Sequence, residues 1–312
     1  MLNTEENLKN IKALVVGDVM LDEYWFGNAT RLSPEAPVPV VQIKNIEKRL
    51  GGAANVAHNI SSLGGNPILL SVTGDDEAAD SLNKIAIDHG IITNFQKDHN
   101  ISTTLKIRVI AQNQQTVRID FEGKPQEELL YRLLDSFKVL LSKVQIVILS
   151  DYGKGGLNHI RQMIEHARQV GVPVLIDPKG SDYSRYKGAT LITPNRAELA
   201  MVTGSWSSEE ELRSKAQRLR EELDLKALLL TRSEEGMTLY TADGELTVPA
   251  QAREVFDVSG AGDTVIAVTA AMLAAGADLQ EAVRIANRAG GIVVGKLGTA
   301  SVSYKELFEG EQ

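Results

Sequence analysis

Residues 146–178 read IVILSDYGKGGLNHIRQMIEHARQVGVPVLIDP, and this stretch decides the fold. It begins with the apolar run 146–149 and closes with a second apolar run, 172–176, each ending in polar residues. Between them, residues 157–170 carry apolar side chains at helical spacing. Short, continuous apolar runs are typical of strands that are covered on both faces. The stretch therefore predicts one strand–helix–strand unit of a parallel sheet.

The same alternation extends over most of the chain. Further short apolar runs that end in polar, glycine or proline residues are 13–16, 68–72, 191–193 and 227–230. Further segments with helical spacing are 53–63, 77–89, 127–142, 209–223 and 260–275. Near the end, the runs 237–240 and 245–248 flank Asp243-Gly244, which is a strong hairpin signal. We therefore expect an α/β fold built on a parallel sheet.

Two segments interrupt the alternation. Residues from about 24 to 44 have no helical period and contain three prolines, at 34, 37 and 39. Residues 103–121 read as two alternating strands around a polar turn. We expect these segments to form a small β-sheet appendage. Because no linker separates them from the rest, the expectation is one domain over residues 1–312 with an interleaved appendage.

Composition excludes several classes of protein. The chain has 312 residues, 33 Lys and Arg, 41 Asp and Glu, and a net charge of −8, which argues against a dedicated nucleic-acid or anionic-membrane binder. With no cysteine, a disulfide scaffold, a cysteine-ligated zinc site and a cysteine nucleophile are excluded. The first ten residues are polar, and the most apolar stretch, 265–277, is shorter than a membrane span. The expected location is the cytoplasm.

The chemistry concentrates in residues 257–263, which read DVSGAGD and precede a helical run. Gly260 and Gly262 permit a tight turn, and the N–H groups at a helix start attract negative charge. Asp263 beside such a nest is suited to accept a proton from an attacking hydroxyl during phosphoryl transfer. An aspartate N-cap after a glycine turn explains the same spacing equally well.

Two other glycine patterns are weaker evidence for a nucleotide- or phosphate-binding loop. Residues 260–265 are an incomplete G-x-G-x-x-G with Val265 in the third glycine position, so a dinucleotide site is disfavoured. Residues 290–296 match G-x-x-x-x-G-K, but Leu297 stands where a magnesium-binding Ser or Thr belongs, and we interpret this match as chance.

Three more groups follow predicted strands or begin predicted helices. Residues 51–55, GGAAN, combine small residues with an amide that can bind hydroxyls, although close helix packing explains the glycines too. Asp18 and Asp22 follow the first strand, where carboxylates suit sugar hydroxyls or simply a turn. Asn195 and Glu198 can face one hydrated magnesium or cap a helix as a pair.

In this order, the motifs GGAAN (51–55), Asn195-x-x-Glu198 and DVSGAGD (257–263) resemble the ribokinase-like carbohydrate kinase family, over nearly the whole chain. That resemblance implies a doubly wound, mostly parallel sheet with helices on both faces and a small β-sheet lid from about 24–44 and 103–121. It also implies ATP and Mg²⁺ as cofactors and a homodimer formed through the lid. Further runs typical of one sugar-phosphate kinase branch are 31–40, 150–155, 176–180 and 295–299. In that branch a nucleotidyltransferase half is often fused, so the chain is expected to be a stand-alone kinase or an excised half.

The resemblance implies individual roles. Asp263 matches the catalytic base and Gly260, Ala261 and Gly262 match an anion hole. The positions implied for ATP are Asn195, Arg196, Ala197, Glu198, Lys179, Thr231, Ser233, Gly236 and Asn287, with Asn195 and Glu198 holding Mg²⁺ through water. The positions implied for sugar hydroxyls are Asp18, Gly51, Gly52 and Asn55. A monovalent cation, K⁺, is implied near Asp257, and Ser259 replaces the family's usual Thr but keeps its hydroxyl.

The expected reaction is therefore ATP-dependent phosphorylation of a sugar phosphate at its anomeric hydroxyl. Arg108 and Lys154 are predicted to bind the substrate's own phosphate, with Arg31 and Arg118 in reserve, because a chain of net charge −8 needs local cations there. The alternatives are a kinase of fructose or of a tagatose phosphate, and a dinucleotide-binding oxidoreductase. No membrane or nucleic-acid partner is expected.

Overall fold

The computed structural model describes residues 4–112, 114–251 and 255–310. Its helices are α1 (Thr4–Lys9), α2 (Ala53–Ser62), α3 (Glu77–Asp88), α4 (Glu127–Leu141), α5 (Ile160–Gln169), α6 (Arg196–Thr203), α7 (Glu209–Glu222), α8 (Ala261–Ala274) and α9 (Leu279–Val293). Its strands are β1 (Lys12–Gly17), β2 (Val19–Leu32), β3 (Pro39–Gly52), β4 (Asn66–Gly74), β5 (Ile92–Asp98), β6 (Leu105–Ala111), β7 (Gln114–Phe121), β8 (Ile146–Ser150), β9 (Val174–Asp177), β10 (Leu191–Ile192), β11 (Ala227–Thr231), β12 (Met237–Thr241) and β13 (Gly244–Val248).

The larger sheet has nine strands in the order β13-β12-β11-β10-β9-β8-β1-β4-β5. Neighbours from β5 to β11 are parallel, and β12 and β13 add an antiparallel hairpin at one edge. The predicted parallel α/β fold is confirmed, and so is the hairpin around Asp243-Gly244.

The apolar run 13–16 shows why such runs predict this sheet. Its four residues are all fully buried. Ala13 and Val15 pack on the face that α2, α8 and α9 cover, whereas Leu14 and Val16 pack on the face that α4, α5 and α7 cover. Because successive side chains of a strand point to opposite faces, a strand between two helix layers needs apolar residues at every position.

The order of the strands places a crevice at the end of β1. From β1 the chain continues to β4 and β5 on one side, and later strands, beginning with β8, add on the other side. Ligands of open α/β sheets bind where the strand order reverses in this way, at the carboxyl ends of the strands. The residues that follow β1 and β8 therefore line the expected binding crevice.

A second sheet of four strands, β3-β2-β6-β7, forms what we call the lid sheet. Its first two strands extend beyond the expected segment 24–44 at both ends. Strand β2 starts at Val19, directly after Asp18, and β3 continues to Gly52. Residues 19–24 are buried and lack the exposed–buried alternation that reveals a strand, so the pattern hid the start of β2.

Some elements were missed by the sequence analysis. They include α1 and the edge strand β5. Gly290 and Gly291 lie in the last turn of α9, which ends at Val293, so the match to a phosphate loop begins inside a helix and not after a strand. The helix predicted over 157–170 begins at Ile160, since the preceding residues form a turn. Within the described ranges, no helix has the length and apolar character that crossing a membrane requires.

Candidate active site

The glycine turn before α8 places an acid and open N–H groups together. Gly260 is the N-cap residue of α8 and has a φ of 77°, a left-handed conformation that favours glycine. The N–H of Ala261 donates to the carbonyl of Val258, so this predicted anion-hole donor is already used. The N–H groups of Gly262 and Asp263 lie in the first helical turn, where no intrahelical acceptor exists. These two groups are the better candidates for stabilising an anion.

Asp263 is buried, and its carboxylate is held from both sides. The Asn55 amide donates to Oδ2 at 2.9 Å, and the Tyr152 hydroxyl donates to Oδ1 at 2.8 Å. Burial raises the pKa of Asp263 to about 6 from the ordinary value of 3.8, although both hydrogen bonds oppose the rise. A carboxylate with a pKa near neutrality is ionised at pH 7 and is well matched to the task of a general base.

The structure gives Asn55 a partner other than the expected sugar hydroxyl. Asn55 is fully buried in the first turn of α2, and its amide group binds the base. Gly51 and Gly52, by contrast, end β3, and Gly52 is the N-cap residue of α2 with a φ of 58°. A side chain on Gly51 would collide with the carboxylate of Asp22. The glycines therefore make room for an acid that faces the same crevice.

Asp18 also differs from its predicted role. Its Oδ2 accepts hydrogen bonds from the N–H groups of Tyr152 and Lys154, and its Oδ1 accepts one from Gly156, each at 3.0 Å. Three backbone donors thus occupy a carboxylate that was expected to bind sugar hydroxyls. In this arrangement Asp18 anchors the loop after β8, and its contact with the sugar stays a prediction.

Asp22 was predicted together with Asp18 as an acid for sugar hydroxyls, and this role also stays a prediction. It is buried on β2, and its Oδ1 accepts a hydrogen bond from the guanidinium of Arg108. The register of the lid sheet sets Lys106 directly opposite Asp22 on β6 and sets Arg108 opposite Tyr24, so these four side chains share one face. Burial lowers the pKa of Lys106, while the negative charge of Asp22 opposes this shift. Lys106 is a cation of this face that the sequence analysis did not select.

The other cations proposed for a substrate phosphate have carboxylate partners. Lys154 lies 2.5 Å from Glu122, and Arg118 pairs with Asp120 on its own strand. Arg31 is exposed near the far end of β2. Of the candidates, Lys154 lies in the same loop as Tyr152, and Arg108 binds Asp22 on the lid sheet.

A cavity of about 150 Å³ next to Asp263's helix contains the predicted magnesium motif. Asn195 and Glu198 form a capping box at the start of α6, and Glu198 also pairs with Lys179 at 3.0 Å. Asp177, at the end of β9, lines the same cavity, and among the described residues none donates a hydrogen bond to its carboxylate. Burial and the nearby charges of Asp263 and Glu198 raise the pKa of Asp177. Sequence reasoning missed this acid, although it stands in the run 176–180.

A second, more apolar cavity of about 380 Å³ adjoins the first, since both include Asn195, Thr231 and Gly262. It contains the predicted nucleotide positions Ser233, Gly236 and Asn287 as well as apolar side chains from α8 and the loop before it. The amide of Asn287 donates to the carbonyl of Pro249, which fixes its orientation. An apolar cavity beside a polar, anion-attracting cavity is typical of a site for a nucleotide, with the nucleobase in the first and the phosphates in the second.

Three remaining positions do not point into these cavities. Arg196 pairs with Glu235, at 2.5 Å, and Ala197 is exposed on the first turn of α6. Asp257 accepts hydrogen bonds from the N–H groups of Ser259 and Gly298, each at 2.9 Å. Although its partial burial opposes the shift, these bonds lower the pKa of Asp257. In this structure Asp257 closes a loop, and its role as a cation ligand stays a prediction.

Comparison with known proteins agrees with this geometry. The model of the pfkB family of carbohydrate kinases matches residues 10–306. The chain is 54% identical over 304 residues to a protein of Hahella chejuensis named Bifunctional protein HldE, and 51% identical over 302 residues to a Bordetella bronchiseptica protein named D-beta-D-heptose 7-phosphate kinase. The alignment covers 96% and 97% of this chain, respectively. It covers 63% of the first relative and 96% of the second.

Solved structures support the fold. An Escherichia coli phosphofructokinase-2, in complex with substrates and products, superposes with a TM-score of 0.80 at 20% identity. An Arabidopsis thaliana ribokinase, complexed with ribose and ATP, superposes with a TM-score of 0.76 at 19% identity. Each match covers 96% of this chain and 97% of the other. At these identities the likeness establishes the architecture, including the doubly wound sheet.

Proposed function

This chain belongs to the pfkB family of carbohydrate kinases, and we propose that it transfers the terminal phosphoryl group of ATP to the anomeric hydroxyl of D-glycero-β-D-manno-heptose 7-phosphate. The product would be heptose 1,7-bisphosphate, an intermediate for the lipopolysaccharide core. The name of the relative at 51% identity, D-beta-D-heptose 7-phosphate kinase, supports this substrate. The observation that carries the reaction type is the buried, doubly hydrogen-bonded Asp263 beside the open N–H groups of α8.

The chemistry assigned to Asp263 follows from its position. The anomeric oxygen attacks the terminal phosphorus, the bond from that phosphorus to the bridging oxygen of ADP breaks, and the hydroxyl proton passes to the carboxylate. The N–H groups of Gly262 and Asp263 stabilise charge on the transferring group, because a helix N-terminus carries partial positive charge. These donors are fixed by the helix and need no rearrangement as charge develops.

The nucleotide is assigned to the two adjoining cavities. The adenine ring of ATP would occupy the apolar cavity near Asn287, and the phosphates would extend toward Asn195 and Gly262. Burial and the charges of Asp263 and Glu198 raise the pKa of Asp177. The carboxylates of Asp177 and Glu198 fit a magnesium ion, because a divalent cation offsets negative charge at such a site. When bound, Mg²⁺ neutralises phosphate charge. Both oxygens of Asp257 accept backbone hydrogen bonds, so we leave a monovalent cation out of the proposal.

The sugar is assigned to the space between Asp263 and the lid sheet. Asp22 and the glycines at 51 and 52 line that side of the crevice. The substrate's own phosphate would bind the cations Arg108 and Lys154, together with Lys106. Each of the first two now faces a carboxylate, so a dianion would compete for them with Asp22 and Glu122. This competition predicts that binding of the phosphate rearranges the lid.

The proposal includes an organisation and a location. We take residues 1–312 as one kinase domain, with the lid sheet as its lid. The face of the lid sheet opposite to Asp22 exposes Ile46 on one edge strand and Val117 and Ile119 on the other, and a second copy would cover this apolar face. The chain would work in the cytoplasm, and a nucleotidyltransferase would follow it in the reaction sequence, fused or separate.

The test is turnover of ATP against a panel of acceptors. Heptose 7-phosphate should give the highest kcat/KM, above fructose, fructose 6-phosphate, tagatose 6-phosphate and ribose, and phosphorus NMR should show a new phosphate at the anomeric carbon. A higher kcat/KM for another member of the panel would replace the proposed substrate with that sugar. The oxidoreductase alternative is set aside, because the family model covers the site that it would need.

A further inference from the structure

The loop after β8 is fixed more tightly than a connecting loop requires. The N–H groups of Tyr152, Lys154 and Gly156 all donate to the carboxylate of Asp18, at 3.0 Å each. On the same loop, Asp151 accepts hydrogen bonds from the N–H of Gly153 and from the hydroxyl of a buried tyrosine. Gly153 and Gly155 have φ values of 71° and 99°, which favour glycine. The backbone of residue 152 therefore has one defined position.

From that backbone the side chain of Tyr152 reaches the base. Its hydroxyl donates to Oδ1 of Asp263 at 2.8 Å. Burial and the adjacent carboxylate raise the pKa of Tyr152, so the phenol keeps its proton at neutral pH and acts as a donor toward this oxygen. Asp18, which follows β1, therefore acts on Asp263 through the loop that carries Tyr152.

The other oxygen of Asp263 has an equally fixed donor. The amide of Asn55 donates to Oδ2, and the amide of Asn59, one turn further along α2, donates to the carbonyl of Asn55 at 3.0 Å. The hydroxyl of Thr264 donates to Oδ1 of Asn59 at 3.1 Å, which returns the network to α8. Asn55, Asn59 and Thr264 are fully buried. Both carboxylate oxygens are therefore oriented by groups that cannot move independently.

We propose that Tyr152 is a positioning residue for phosphoryl transfer: held by Asp18, it fixes the orientation of the Asp263 carboxylate and keeps it in the proton-accepting form. The inference rests on the proposed role of Asp263 as base. A hydrogen bond donated to a carboxylate favours its ionised form and opposes the effect of burial. Without the phenol, a larger fraction of the buried acid would hold a proton at neutral pH, and that fraction could not accept one from the sugar.

The test is the pH profile of Tyr152→Phe, measured with the acceptor that the parent uses. Loss of one hydrogen bond to a carboxylate should move the acid limb of kcat/KM upward by about one to two pH units. The rate at pH 7 should fall about two- to tenfold and recover at higher pH, while KM for ATP stays unchanged. Tyr183→Phe is the matched control, because it removes a buried hydroxyl that has no partner among the described residues.

A second variant keeps the shape of the site. With 3-fluorotyrosine at position 152 the phenol is a stronger donor, and the acid limb should move to lower pH. An acid limb that stays in place in both variants overturns the inference, as does a rate loss that is equal at every pH. The proposed function fails separately: a parent without turnover of heptose 7-phosphate rejects the substrate, and an Asp263→Asn variant with parental kcat rejects the base.

Discussion

The ammonium group of Lys179 lies 3.0 Å from Oε1 of Glu198, although Lys179 follows β9 and Glu198 lies in the first turn of α6. The other carboxylate oxygen of Glu198 accepts the N–H of Asn195 at 3.1 Å. Glu198 is thus oriented by the start of its own helix and by a cation from a neighbouring strand end. Because Lys179 is half exposed and Glu198 largely buried, a metal-bound triphosphate would meet one fixed acid and one movable cation.

Glu198→Gln should weaken the use of magnesium. Glutamine keeps the capping box, since it is as competent as glutamate at this helix position, but it removes the negative charge. We expect the magnesium concentration that gives half-maximal rate to rise about tenfold, with a lower kcat and little change in KM for the sugar. Magnesium titrations at fixed ATP measure this. Glu281→Gln, at the corresponding position of α9, is the control, and an unchanged titration for Glu198→Gln would contradict the assignment.

Asp263→Asn should abolish most of the turnover while leaving nucleotide binding intact. The amide keeps the size of the carboxylate but cannot accept the hydroxyl proton, and loss of a general base costs roughly 10²- to 10⁴-fold in rate. The measurements are kcat and calorimetric binding of an ATP analogue. Asp278→Asn is the matched control, because Asp278 is the N-cap of α9 and asparagine caps equally well. A near-parental kcat would remove Asp263 from the mechanism.

The rate should depend on pH through Asp263. Burial raises its pKa to about 6, so the carboxylate is ionised above that pH and protonated below it. Since only the ionised form accepts a proton, log kcat/KM should fall with unit slope below about pH 6 and level off above it. Initial rates between pH 4.5 and 8.5 check this. An acid limb near the ordinary aspartate value of 3.8 would show that burial does not control this group.

Arg108→Ala and Lys154→Ala should each weaken binding of the sugar phosphate. Loss of a charge-assisted contact to a phosphate predicts roughly a ten- to hundredfold rise in KM for the sugar and an unchanged KM for ATP. Arg108→Lys keeps a positive charge beside Asp22 and separates phosphate binding from the loss of that ion pair.

Two comparisons sharpen that result. A heptose without the 7-phosphate should be almost insensitive to both alanine variants, and Arg132→Ala, an exposed ion-paired arginine of α4, should match the parent. If both alanine variants bind heptose 7-phosphate as the parent does, the phosphate lies elsewhere in the crevice.

Val117→Glu should disrupt association of the chain with itself. Val117 and Ile119 lie on the exposed face of β7, and a charge there would be buried without a partner in a dimer formed through the lid sheet. Sedimentation velocity should show a dimer for the parent and a monomer for the variant. Val139→Glu, on an exposed position of α4, should leave the parental mass unchanged. A parent that sediments as a monomer at micromolar concentration would refute the dimer.

The large sheet could be predicted because its signal is local. The runs 13–16 and 146–149 are apolar at every position, and such runs require two covered faces whatever the rest of the chain does. The start of β2 could not be predicted in the same way, since residues 19–24 are all buried although they include two acids, Asp22 and Glu23. Local pattern does not reveal a strand whose charged residues are buried.

The site was predictable where one motif contains both the turn and its chemistry, as at Gly260 and Asp263. It was less predictable where a residue's partner is distant in sequence. Asn55 binds an acid 208 positions away, and Asp18 binds a loop 134 positions away, so neither of these contacts has a local signal in the sequence. Tyr152 and Lys106 were missed because a tyrosine or a lysine has no distinctive signal before its neighbours are known.

The ends of the β2–β3 hairpin meet at one point of the larger sheet. The carbonyl of Asp18, at the end of β1, accepts the N–H of Ala53, the first residue of α2, at 3.1 Å. Strand β1, helix α2 and strand β4 therefore form a strand–helix–strand unit into which residues 19–52 are inserted. An insertion with adjacent ends can be exchanged, lengthened or reshaped during evolution without altering the register of the sheet. The base stands on α8, outside the insertion, so new acceptors can be recruited by changing this hairpin while the phosphoryl-transfer machinery is inherited intact.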